Sequence, residues 1–127
     1  MSPVRHSVTG EALSFALSDE MEIVRQALAK SPGRIARTLS KNGELRATLV
    51  GVSPGGALQE HSSSGPITIQ VLEGAIELQA AGQKWPLSAG MLLALEAGVL
   101  HAVTSDVGGF FLLTVVKPRE GSERHKE

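Results

Sequence analysis

Two histidines, His61 and His101, are the residues of this chain best suited to chemistry. A neutral imidazole can ligate a divalent metal, relay a proton or accept a hydrogen bond, depending on which ring nitrogen carries the proton. Each sits in a short glycine-bounded stretch, GGALQEHSSSGPITIQVLEG over residues 55–74 and GMLLALEAGVLHAVTS over residues 90–105. In a strand, successive side chains alternate between two faces. If His61 faces inward, Gln59 and Ser63 do too and Glu60 faces out; Ile67, Ile69 and Val71 then line the same interior. With His101 and Val103 from the second stretch, the expected pocket has apolar walls and a few placed polar groups, the usual make-up of a small-ligand site. No catalytic residue is assigned.

Each histidine also has a structural reading. His101 would serve equally as a core side chain bonded to a backbone carbonyl or to Ser63, and His61 as a half-solvated rim residue. His6 and His125 lie in terminal segments and are expected to be solvated. Trp85 reads as a packing residue. Gly55-Gly56 lacks the following helix that a phosphate-cradling loop needs, and Ser62, Ser63 and Ser64 read as an ordinary turn rather than a nucleophile.

The elements that must position these residues are mostly strands. Turn signals such as Lys41-Asn42-Gly43, Ala81-Gly82, Ser88-Ala89-Gly90 and Gly108-Gly109 punctuate the chain at roughly 6–12-residue intervals, and Asn-Gly is the strongest short hairpin signal. Nine or ten short strands are expected, in an all-β sandwich or barrel. Leu13 to Leu17 has period-two apolar spacing and reads as a further short strand. Asp19 followed by Glu22 reads as a capping box, opening one amphipathic helix over about residues 19–30 that presents Met21, Val24 and Leu28. The chain divides into an N-terminal arm and helix (1–33), a barrel (34–116) and a charged tail (117–127) expected to be disordered. Residues 1–10 are expected to be loosely held. Met91 to Leu95 and Phe110 to Val116 have no polar face, so the helix or a second copy of the chain must cover them; a homodimer packed sheet to sheet is the preferred arrangement.

Composition narrows the function classes. The 127 residues suit one domain, 42% are apolar, and 12 basic residues balance 13 acidic ones to a net charge of −1. No basic stripe and only one Trp and three Phe argue against a nucleic-acid surface. The absence of cysteine removes disulfides, thiolate catalysis and Cys-ligated metal. No apolar run reaches the length of a membrane span, and the N-terminus does not read as a signal peptide; a cytoplasmic protein without a membrane partner is expected.

The two histidine stretches resemble the paired motifs of the cupin family, usually written G-x5-H-x-H-x3-4-E-x6-G and G-x5-P-x-G-x2-H-x3-N. Gly55, His61 and Gly74 match the first, with Ser63 at the second histidine and Ile67 at the glutamate. Gly90, Gly98 and His101 match the second, with Glu96 at the proline and Ser105 at the asparagine. The resemblance covers about residues 45–116 and implies an antiparallel jelly-roll β-barrel. It also implies a metal site, of which this chain keeps two of four ligand positions, His61 and His101. The expected function is therefore binding of a small, largely apolar ligand in a barrel whose metal site is mostly lost, with no cofactor. One alternative is a metal-dependent oxygenase or isomerase holding zinc, nickel, manganese or iron on His61 and His101. Another is a non-catalytic structural or interaction protein.

Overall fold

The computed structural model describes residues 5–118. One helix, α1 (Leu17–Lys30), precedes eight strands: β1 (Arg34–Asn42), β2 (Leu45–Val52), β3 (Ala57–His61), β4 (Ile67–Ala80), β5 (Gln83–Ser88), β6 (Leu92–Leu95), β7 (His101–Thr104) and β8 (Gly109–Val116). All pairings are antiparallel, along the path β1-β2-β8-β4-β7-β3, and β5 and β6 both add to β4. The result is the expected all-β curled sheet of jelly-roll type.

The strand count falls short of nine because β4 runs 14 residues through Gly74, where the sequence suggested a break. Its first half pairs with β6 and β8, its second with β5 and β7. A register shift between Val71 and Glu73 changes the inward phase: Ile67, Ile69 and Val71 are buried before it, Ile76, Leu78 and Ala80 after it. One strand thereby serves both sheets with its apolar side always toward the core. Gly74 sits at φ 76° in this bend, where an added Cβ would collide with the carbonyl of Gly108, so only glycine fits.

Two apolar clusters hold the fold. The barrel core joins Val50, Ile69, Val71, Leu78, Val103 and Phe111 with neighbours from the same strands. The second lies between α1 and the outer face of the sheet and contains Val24, Leu28, Leu39, Leu49 and Phe110. The backbone of β2 approaches the helix so closely at Gly51 that an added Cβ would lie 2.6 Å from Val24 and 2.9 Å from Leu28. These clusters explain β8: Phe111 and Leu113 face the barrel, while Phe110 and Leu112 face the helix. β6 is different, for Leu92 remains 62% exposed and the preceding Met91 45%.

Several local expectations are corrected. Residues 12–16 form no strand, because they have no ladder partner; Phe15 instead packs into the helix cluster. The helix starts two residues early, at Leu17, which joins that cluster. Ala16 caps it with no side-chain bond, so the Asp19 capping box does not form; Asp19 and Glu20 in the first turn still suit the helix dipole. Residues 5–10 are docked rather than loose. Val8 accepts from the amide of Lys41 at 2.7 Å, and His6, read as solvated, is half-buried against Phe15. The guanidinium of Arg37 donates to His6 Nδ1 at 3.1 Å and, through Nε, to Glu20 at 2.7 Å. A guanidinium cannot accept, so Nε2–H is left to donate to the Leu39 carbonyl at 3.0 Å. His125 and tail residues 119–127 lie outside the described residues.

Candidate functional site

β3 and β7 place the two histidines side by side. Leu58 pairs with Val103 and His61 with His101, so β3 carries one extra residue over this interval. The bulge overrides simple alternation: Gln59, Glu60 and His61 are all exposed, where the strand pattern put Gln59 and His61 inside. His101 is buried at 4% exposure, and its ring centroid lies 4.3 Å from that of His61 at an interplanar angle of 58°.

Both rings are fixed in the same manner. His61 Nδ1 bonds the carbonyl of Gln59 at 2.9 Å, and His101 Nδ1 bonds that of Val99 at 3.0 Å. A carbonyl only accepts, so each Nδ1 carries a proton, and in the neutral form of the ring the lone pair is then on Nε2. His61, the exposed member, therefore presents an acceptor nitrogen at a cleft beside the pair, while buried His101 packs against His61 and does not border that cleft. The Nδ1 bond also realises the backbone-bonded reading of His101, with Val99 rather than Ser63 as partner.

The space beside the pair is a cleft of about 620 Å³ bordered by residues of β1, β2, β3 and β8. β1 and β3 end the strand path and are not bonded to each other, which leaves the cleft between them. Val50, Leu58 and Leu113 give it an apolar floor; Arg34, Thr48, Gln59, Glu60 and His61 supply polar groups. Of the expected pocket residues, Gln59 and His61 border it. Ile67, Ile69, Val71 and Val103 are inward-facing but sealed in the packed core, so the floor comes from other residues. Ser63 is half-buried in the β3–β4 turn, where its carbonyl accepts from the amide of Gly98 at 2.8 Å. Arg34, Val50 and Leu113 were missed because only the curl of the sheet brings β1, β2 and β8 against β3. Glu60, read as outward, borders this cleft and also a neighbouring one of about 550 Å³ containing Gln79 and Lys84.

The residues suit a metal poorly. Ile67 occupies the carboxylate position of the motif and is 4% exposed in the core. No group of three or more His, Cys, Asp or Glu side chains suited to a metal occurs among the described residues. Two imidazoles fall short of the three or four protein ligands that such sites use.

Ser105, at the asparagine position of the second motif, has a structural task. Its buried hydroxyl donates to the Ala75 carbonyl at 2.6 Å and accepts from the Gly108 amide at 2.8 Å. Its backbone exchanges bonds with Gly55 and Gly56, closing the start of the His61 stretch onto the end of β7. Trp85 packs against the core, with Nε1–H bonded to the Ala80 carbonyl at 3.0 Å.

The family model for the cupin domain matches residues 48–116, the segment holding both histidines. The chain belongs to the cupin family. Solved structures share its fold at low identity. A conserved protein of unknown function from Streptococcus pyogenes is 22% identical with a TM-score of 0.68, covering 94% of this chain and 98% of its own. A cupin-2 domain containing protein from Shewanella frigidimarina is 17% identical with a TM-score of 0.66, over 83% and 94%. KdgF from Halomonas sp. is 20% identical with a TM-score of 0.59, over 68% and 81%. No curated protein sequence matches this cupin. No helix among the described residues is long and apolar enough to cross a membrane.

Proposed function

We propose that this cupin binds a small, largely apolar molecule in the cleft between β1 and β3. The observation that carries the reading is the juxtaposition of an apolar floor, Val50, Leu58 and Leu113, with the backbone-anchored His61–His101 pair. The cleft volume of about 620 Å³ falls in the range of small-ligand sites. His61 and Gln59 provide orientation, and His101 holds the His61 ring from behind.

A fragment screen read by amide chemical shifts tests it. Binders should perturb Val50, Leu58, His61 and Leu113, and Leu113→Trp should abolish those responses while the rest of the spectrum stays folded. Responses confined to other surfaces overturn the reading. Elemental analysis of the purified protein belongs beside the screen. Stoichiometric metal that disappears in His101→Ala would replace this reading with a metal-dependent oxygenase or isomerase.

We further propose that two copies pair through the outer sheet face that α1 leaves uncovered. Leu92, Ala94, Gln70, Thr68, Thr114 and Ala47 share that face by strand register, and none is charged. A face without charge meets its own copy without desolvating an ion, which supports a second copy of the chain as the occupant.

A further inference from the structure

The cleft carries an asymmetry of charge that narrows its ligand beyond apolar. Arg34 stands on the β1 side. The guanidiniums of Arg25 and Arg37 are engaged by Glu22, Glu73 and Glu20, whereas Arg34 has no carboxylate within ion-pair distance among the described residues. The β3 side offers acceptors instead: the Nε2 lone pair of His61, left by the Nδ1–H bond to Gln59, and the carboxylate of Glu60. Glu60 too has no ion-pair partner among the described residues. Between the two sides lies the aliphatic floor.

Accepting the cleft as a ligand site, we propose that it takes a small aliphatic hydroxy or amino acid. The ligand carboxylate pairs with Arg34, its hydroxyl or ammonium donates toward His61 Nε2 and Glu60, and its hydrocarbon body covers Val50, Leu58 and Leu113. The polarity fixes the orientation. A carboxylate turned toward β3 would meet a lone pair and an anion, so a simple fatty acid satisfies only the Arg34 side and a neutral alcohol only the β3 side.

Titrations of the full chain followed by amide shifts, with a chelator present throughout, compare hydroxyisocaproate, leucine, isocaproate and isohexanol. Hydroxyisocaproate or leucine should bind with shifts at residues 34–36 and 58–61, and whichever binds more tightly identifies the donor. Isocaproate should bind about tenfold more weakly, the scale of one charge-assisted or well-placed hydrogen bond. Arg34→Gln should weaken the acids roughly tenfold or more without changing isohexanol, and Arg34→Lys should restore part of the loss. Isohexanol binding as tightly as the acids, or acid affinity indifferent to Arg34→Gln, overturns the ligand class while leaving the cleft as an apolar site. No response at the cleft from any of the four probes overturns this proposal together with the functional reading beneath it.

Discussion

At the scale of single residues, hydrogen-bond satisfaction separates the groups that hold the site from those available to a ligand. Ser105 is in the first class. Removing its hydroxyl leaves the Gly108 amide and the Ala75 carbonyl without that partner in a buried setting. Ser105→Ala should therefore cost about 1–3 kcal/mol, measured by urea denaturation, and a variant as stable as the native chain would deny the clamp. His61 is in the second class, with one nitrogen anchored and the other presented. Its motif position was legible in the sequence because spacing from glycine is a local property. Its exposure was not, because the extra residue in β3 exists only relative to β7.

At the scale of elements, α1 is held to the strands by one close approach, at Gly51, and by two ion pairs, Glu20 with Arg37 of β1 and Arg25 with Glu73 of β4. Gly51→Ala would press a methyl group against Val24, Leu28 and Phe110, and overpacking of this kind costs about 1–3 kcal/mol; a lower melting temperature is expected. Arg25 bonds Glu73 at 2.8 and 3.2 Å and lies over the Phe110 ring at 4.7 Å, tying the helix to the bend of β4. The hydrogen bond from Arg25 holds the Glu73 carboxyl below its ordinary value, and the bond to Glu73 raises Arg25. A carboxyl depressed in the folded state contributes stability above its unfolded pKa and loses that contribution as pH falls through the folded value. Both side chains are about half exposed, so the effect is small. Unfolding measured against pH should show native protein and Glu73→Gln diverging above the carboxylate range and converging in acid. A gap that persists in acid would mean the pair does not account for it. The buried face of the helix, Val24 and Leu28, was legible from spacing alone; the early start at Leu17 came from packing, since the capping signal at Asp19 competes with an apolar side chain that has somewhere to go.

At the scale of the whole molecule, the sheet has two outer regions with different cover. α1 covers Leu49, Phe110 and Leu112, which accounts for the apolar β8, but Leu92 and Met91 remain exposed. A dimer through this face predicts that Leu92→Glu lowers the mass seen by sedimentation velocity to that of one chain without altering the circular dichroism spectrum. A native protein that already sediments as one chain at high concentration would remove the dimer. Pairing of this kind leaves the β1–β3 cleft a separate matter, so ligand binding and assembly can be tested independently.

Glycine spacing, period-two apolar runs and turn dipeptides were enough to determine the antiparallel barrel and most strand ends to within a residue or two, but not the unbroken run of β4 through Gly74 or the lack of a strand at residues 12–16. The period-two run Ile67, Ile69 and Val71 marked one apolar side, which is buried, and the resemblance to the cupin motif put Ile67 at its carboxylate position, because both are properties of neighbours along the chain. Which aliphatic residues seal the core and which floor the cleft, and that Arg34 stands across from His61, was decided only by the tertiary structure. The physical reason is that both depend on how far a twisted sheet curls before its end strands meet. That distance is set by the bend and bulge of β4 and by packing summed over all eight strands, and no single stretch of sequence contains it.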